Sequence, residues 1–253
     1  MNLQNKKKIE SMKIGGEKLG KILHILLSKC TTGISLLNIE KEAQKMIKKA
    51  GGTPSFMTVQ GYKWATCICI NDEVVHGIPT DYQLQEGDVL TIDIGMVYQG
   101  YHTDTAYTVI IGSENNSMNA TQAFLEVGKK ALQEAIQQAK VGNQVGHISK
   151  IIQEEVESGG YSIISSLVGH GIGKQLHQSP QIPGVLVKDL KKTPILEEGM
   201  TIAIEVIYAM GKDEIIHKNE DGWTLSTKDG SLTAVFEHTV AILFDGPCVL
   251  TKV

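Results

Sequence analysis

Five residues of this 253-residue chain carry side chains whose chemistry and placement could hold metal: Asp93, Asp104, His170, Glu205 and Glu237. Asp93 lies in VLTIDIG (89–95), where Val89, Thr91, Asp93 and Gly95 alternate with Leu90, Ile92 and Ile94 in the period-two pattern of a strand. Asp104 lies in HTDTA (102–106), ahead of the β-branched run 107–111, and Tyr98-Gln99-Gly100 reads as the turn of a hairpin. A turn centred between Tyr98 and Gln99 predicts that Asp93 sits directly across from Asp104. Two like charges on adjacent strands repel and lose hydration, so they require a cation or a proton between them. A solvent-facing hairpin with two scattered acids is the alternative, and the rest of the chain must decide.

His170 is framed by glycines in GHGIG (169–173), a spacing that lets backbone approach a ligand closely, and imidazole is the commonest neutral metal ligand. Glu205 and Glu237 each interrupt an apolar strand, TIAIEVI (201–207) and AVFEHTV (234–240). Acids inside strands need partners. Two aspartates, two glutamates and a histidine supply mostly hard oxygen donors, enough for two divalent ions with bridging carboxylates, and Zn, Mn, Co and Fe all suit such a set.

The elements that must position these groups recur. Apolar residues at helical spacing predict helices over 9–28 and 39–50, and again over 123–139 and 148–156. Gly33, Ile39, Ala43, Ile47 and Gly51 reappear 109 positions later as Gly142, Ile148, Ile152, Val156 and Gly160. Each copy runs from two helices into strands, 66–70 and 89–110 in the first, 200–208 and 232–244 in the second. Chance matching of periodic helices competes with this reading, but a duplicated ααβ-rich unit would pack its sheets together, put its helices outside and leave a site between the halves. No Pro/Ser-rich linker separates the copies, so one domain is expected over 1–253.

Composition narrows the function classes. With 42% hydrophobic residues the chain is an ordinary globular one, and a net charge of -4 gives no footprint for nucleic acid. All 24 basic residues are lysine, so no guanidinium fork can clamp a carboxylate or phosphate. Neither a secretory pattern nor an apolar run of membrane-spanning length is present, and the four cysteines form no CxxC pair, which together point to the cytoplasm.

Read in order, NDEVVHGIP (71–79), TIDIG and HTDTA, GHGIG with LH (169–177), MTIAIE (200–205), DGWTLSTKDGSLTA (221–234) and FEHT (236–239) make the chain resemble the methionine aminopeptidases of the bacterial type I group along nearly its full length. That resemblance implies an α+β pita-bread (creatinase/aminopeptidase-like) fold with two ααβ-rich halves related by pseudo-twofold symmetry. It implies Asp93, Asp104, His170, Glu205 and Glu237 as ligands of two divalent ions (Co, Mn, Fe or Zn), and allows a monovalent cation as well. Glu205 would be the proton shuttle, and His76 and His177 would position the substrate and stabilise the tetrahedral intermediate. Phe56, Val59, Tyr62, Cys67, Leu176 and Trp223 would surround the methionine side chain, though core packing explains Phe56 and Val59 equally well. The implied activity is removal of N-terminal methionine from nascent polypeptides, by a cytoplasmic monomer that meets the ribosome transiently and binds neither nucleic acid specifically nor membrane. Three positions depart from the family pattern: Gln178 in place of Glu, Val206 in place of Pro, and Val235 where Gln is frequent. A proline-directed peptidase of the same fold is the nearest rival, although the lack of arginine argues against a prolidase. A non-catalytic relative that binds polypeptides or the ribosome is a third reading, set against the retention of all five ligands.

Overall fold

The computed structural model describes residues 3–112, 119–187 and 189–252. The first half runs α1 (Leu3–Lys29), α2 (Leu36–Lys49), β1 (Thr53–Pro54), β2 (Thr66–Ile70), β3 (Glu73–Val75), β4 (Val89–Tyr98) and β5 (Tyr101–Ile110). The second runs α3 (Ala120–Gln137), α4 (Val145–Ser158), β6 (Ser162–Ile163), β7 (Val168–Gly171), β8 (Gln178–Pro183), β9 (Thr201–Ala209), β10 (Ile215–His217), β11 (Leu225–Thr227), β12 (Thr233–Leu243) and β13 (Gly246–Val249).

The repeat read from the sequence is carried by the backbone. α2 and α4 each have 14 residues and begin 109 positions apart. Gly33 and Gly142 precede them with φ of 90° and 85°, and Gly51 and Gly160 follow at 81° and 82°, backbone that L side chains rarely adopt. In each half one sheet face packs on its helix pair. Leu90, Ile92, Ile94 and Met96 of β4 meet Leu19, Leu23 and Ile47, while Ile202, Ile204 and Val206 of β9 meet Phe124, Leu132 and Ile152. The helices therefore lie outside, and the opposite sheet faces turn toward each other.

Two larger sheets result, one with β1, β4 and β2 in order and β5 pairing β4, the other running β13-β12-β9-β7-β8 with β6 pairing β9. They meet along β5 and β12, where threonine hydroxyls replace a backbone ladder. Thr239 Oγ1 donates to Asp104 O (2.8 Å) and accepts from Asp104 N (2.9 Å), and Thr108 Oγ1 does the same for Val235 O and N (2.8 and 3.0 Å). Thr105 Oγ1 adds a bond to Glu237 O at 2.8 Å. Carboxylate-bearing strands of the two halves are thus fixed against each other.

The hairpin register differs from the sequence expectation. Asp93 faces Ala106, and Asp104 faces Gly95. The turn centres on Gln99-Gly100, both at positive φ (50° and 79°), the backbone that matches the twist of a two-residue hairpin. A glycine at 100 suits its second position, which moves the pairing by two residues. Because side chains alternate with period two, Asp93 and Asp104 still share a face, as diagonal neighbours.

Candidate metal centre and substrate cleft

Asp93 leaves β4 on the face opposite its apolar neighbours, and Asp104 leaves β5 beside it. Glu205 of β9 stands directly opposite Glu237 of β12. His170 comes from β7, where it pairs with Ala203 two residues from Glu205. Its glycines serve strand packing rather than ligand approach: a Cβ at Gly169 would lie 2.5 Å from Ala203 O, and one at Gly171 would lie 2.3 Å from Ser179 O. Only glycine lets β7 sit between β8 and β9 here.

Ligand atoms of Asp104, His170 and Glu237 lie within 4.8 Å of one another. The remaining two acids belong to the same cluster, since Asp93 feels the charges of Asp104 and Glu205, and Glu237 feels all three. Burial, reinforced by these repulsions, pushes Asp93 and Glu237 well above the usual carboxylate range. Asp104 is pushed up to about 7 by burial, against the stabilising bonds from Asp93 and the Thr105 N–H, and Glu205 to about 8 by burial and the Asp104 charge. One oxygen of Asp93 and one of Asp104 are buried with no hydrogen-bond partner. Among the described residues no ion pair reaches any of the four acids. Buried acids with orphaned oxygens and no balancing ammonium form a donor set that fits divalent cations.

His170 completes that set in the correct form. Burial lowers its pKa to about 4, so it is neutral near pH 7. Its Nδ1 lies 3.0 Å from the Gly171 carbonyl, which can only accept, so the proton sits on Nδ1 and the Nε2 lone pair is free to ligate. His177 lies close by, its ring centroid 4.5 Å from that of His170. His76 adopts φ of 59°, a conformation unusual for a histidine, and its ring stands edge-on to Trp223 at 6.5 Å.

These groups open on one cleft of about 1370 Å³. The four acids and the imidazole of the cluster all line it, together with His76 and His177. Phe56, Val59, Tyr62, Cys67, Leu176 and Trp223 line it as well, so every site residue read from the sequence is brought to this cavity. Tyr62 packs edge-on to Trp223 (5.1 Å) and Phe56 (6.4 Å), and its hydroxyl donates to Thr66 O at 2.9 Å. Cys67 pairs with Asp93 across β2 and β4. An apolar pocket therefore adjoins the acids.

The three departures have structural places. Val206 is buried in the core of the second half, and the β9–β12 ladder runs without a register break from Thr201↔Ala241 to Ala209↔Thr233. Val235 packs with Ala106, Ile207 and Val74, and Gln178 Oε1 accepts from Gln175 N at 3.3 Å. None belongs to the acid cluster.

Sequence reasoning missed the supports. Thr105, Thr108 and Thr239 hold the two halves together, and Ser55 Oγ bonds His102 Nδ1 at 2.5 Å behind the hairpin. Thr105 and Thr239 stand inside the HTDTA and FEHT motifs, so their signal was adjacency to an acid. Glu40 was visible as an acid on the apolar face of a helix, at one of the positions that α2 buries.

Comparison with known proteins agrees with this geometry. The sequence pattern of metallopeptidase family M24 matches residues 10–243. A methionine aminopeptidase of Aquifex aeolicus is 42% identical over 100% of this chain and 99% of its own length. The crystal structure of a methionine aminopeptidase from Thermotoga maritima superposes with a TM-score of 0.92, at 38% identity, covering 98% of this chain and 97% of that one. A prolidase from Pyrococcus furiosus shares the fold (TM-score 0.77) at 24% identity, with 98% of this chain covering 64% of that one.

Proposed function

This chain belongs to metallopeptidase family M24, and on that premise we propose that the acid cluster holds two divalent ions with which the enzyme removes the N-terminal methionine of polypeptides. The full-length likeness to methionine aminopeptidases gives the activity, a hydrolysis of the first peptide bond. The observation that carries the metal reading is the pair of orphaned oxygens on Asp93 and Asp104 inside a cluster of four acids, Asp104 and Glu237 buried and Asp93 and Glu205 half-buried.

Asp93, Asp104, His170, Glu205 and Glu237 are the proposed ligands. Cations bound there would lower the pKa of a coordinated water and polarise the carbonyl of the scissile bond. The chain's own residues do the rest. Glu205, held in the cluster directly opposite Glu237, receives the proton of the attacking water and delivers it to the leaving amine. Burial lowers the pKa of both His76 and His177, so near pH 7 each is a neutral imidazole with one N–H to donate. Those donors hold the scissile peptide and stabilise the oxyanion as the carbonyl becomes tetrahedral. Tyr62, Cys67, Leu176 and Trp223, with Phe56 and Val59, form the pocket for the unbranched methionine thioether.

The finer cofactor reading is Co, Mn, Fe or Zn at both sites, supported by the mixed oxygen and imidazole donors; the monovalent cation rests on the resemblance alone. We read the enzyme as a cytoplasmic monomer, one catalytic domain over 1–253, that meets nascent chains at the ribosome. Among the described residues no helix is long and apolar enough to cross a membrane, and all four cysteines are free. Hydrolysis of Met-Gly-Met-Met against Gly-Pro dipeptides, with protein reconstituted in each metal, is the test. Preference for Gly-Pro would favour the proline-directed relatives and overturn the reading.

A further inference from the structure

The internal repeat places Glu40 of α2 and Ser149 of α4 at the same position, 109 residues apart, and both are buried. Strand register aligns the adjoining strands too. Cys69 faces Thr91 and His170 faces Ala203, and with Asp93 matched to Glu205 these two pairs coincide, so Ala65 and Thr66 at the entry to β2 correspond to Ser166 and Leu167 just before β7. In the first half Glu40 closes the gap between helix and strand. Its carboxylate accepts from Ala65 N (2.7 Å), Thr66 N (3.0 Å) and Thr66 Oγ1 (2.5 Å). In the second half the Ser149 hydroxyl turns back to Val145 O on its own helix, 3.4 Å away. The equivalent gap is open, and Val145, Ser149, Ser166 and Leu167 line the same continuous cleft that contains the acid cluster. At about 1370 Å³ that cleft exceeds the ~300–1,000 Å³ of a small-ligand pocket.

We propose that this lobe, walled by Val145, Leu167, Val185 and Leu186 and floored by Ser149, is a subsite for an apolar side chain beyond the second residue of the substrate polypeptide. The inference rests on the proposed function. Continuity of the cavity names the occupant: methionine fills the pocket built on Phe56, Val59, Tyr62 and Cys67 of the first half and closed by Leu176 and Trp223, the scissile bond lies at ligands drawn from both halves, and the chain that follows runs on along the second half toward α4. Among the described residues the lobe walls carry no acid and Lys192 is the one cation, so aliphatic side chains fit and basic ones do not.

Metal-loaded enzyme and the tetrapeptides Met-Ala-Gly-Gly, Met-Ala-Leu-Gly and Met-Ala-Gly-Leu test it. Leucine at position three or four is expected to raise kcat/KM by about tenfold over glycine. Ser149→Glu, which gives the second half the acid of the first and fills the lobe, should bring that ratio close to one. The ratio compares substrates on a single preparation, so any loss of folded or metal-loaded enzyme cancels. Leu186→Ser at the wall should lower the ratio as well, and it decides the matter if Ser149→Glu does not fold. Equal rates on the three peptides, or a leucine preference unchanged in both variants, would overturn the subsite and leave methionine removal standing. Failure to release methionine from any peptide would instead overturn the proposed function, and the subsite with it.

Discussion

Glu205 and Glu237 face each other as a direct pair on β9 and β12, whereas Asp93 and Asp104 are offset by two residues across β4 and β5. The second half thus holds its acids at the closest cross-strand spacing, and the Thr105 and Thr239 bonds press the Asp104 strand against that pair. Repulsion in such a cluster is tolerated when cations are bound and is costly when they are not.

Asp104→Asn removes one charge from the centre of the repulsion and one ligand from the metal set. Metal affinity should fall by at least about 10²-fold, since even loss of an outer-sphere partner costs 10-fold to 100-fold. Stripped of metal, the variant should melt at a higher temperature than stripped wild-type protein. Paired metal analysis and thermal melts check this, and a lower melting temperature without metal would mean that Asp104 does not sit in an uncompensated cluster.

The pH dependence of the metal-free protein follows from the same acids. Asp104 and Glu205 have folded-state values of about 7 and about 8, above their unfolded values, so the folded state binds their protons more tightly. Their stabilisation is complete below about pH 4 and is lost as pH rises through 7 to 8. His170 and His238, held near 4 by burial, work in the other direction, but only below about pH 6.5, above which imidazole is neutral in both states. Between pH 6.5 and 8.5 the metal-free protein should therefore lose roughly 5 °C of melting temperature. Saturating metal should flatten the slope, and its binding near pH 7 should release protons, visible as buffer-dependent heats in calorimetry. A flat profile without metal would contradict the protonated cluster.

How far the sequence reached can be judged residue by residue. The four acids, His170 and the helix repeat stand out because each breaks its local pattern, an acid in an apolar strand, a histidine between glycines, a glycine at fixed distance from a helix, whereas His76 and His177 come only through the resemblance of NDEVVHGIP and of GHGIG with LH. The hairpin register was not readable, because one turn residue decides it, and Gln99 is a less usual occupant of positive φ than asparagine or aspartate. The threonine bonds between β5 and β12 were also hidden, since no short-range pattern reports which strands of two halves adjoin.

Thr239→Val keeps shape and removes the hydroxyl that satisfies both backbone groups of Asp104. Leaving buried N–H and C=O groups unpaired costs about 1–3 kcal/mol each. Stability should drop accordingly, and turnover should fall more than metal content does, because the Asp104 carboxylate is displaced rather than deleted. Thr239→Ser should restore both. If serine fails to rescue turnover while restoring stability, the hydroxyl is not what positions Asp104.

Trp223→Ala should act on selectivity. Trp223 stands edge-on to Tyr62, and both line the cleft beside the acids. Its loss opens the pocket, so kcat/KM for N-terminal methionine should fall about tenfold or more while branched or larger residues gain relative to it. Equal activity of the unmutated enzyme on N-terminal Met, Leu and Phe peptides would argue against a dedicated methionine pocket.

His170 and His177 lie close enough to be mistaken for a pair of ligands, with ring centroids 4.5 Å apart. Only His170 groups its ligand atoms with those of Asp104 and Glu237, and its Nδ1 is engaged by the Gly171 carbonyl, which fixes Nε2 toward the acids. His177 has no place in that group, which leaves its N–H for the substrate role proposed above. His170→Ala should therefore lower metal content at limiting metal and lower the rate with it. His177→Ala should retain metal and lower turnover by about 10²-fold to 10³-fold, the usual loss when one donor to a developing oxyanion is removed. Excess metal separates the two further, since it should rescue part of the His170→Ala activity and none of the His177→Ala activity. Metal depletion in His177→Ala with retention in His170→Ala would reverse the two roles.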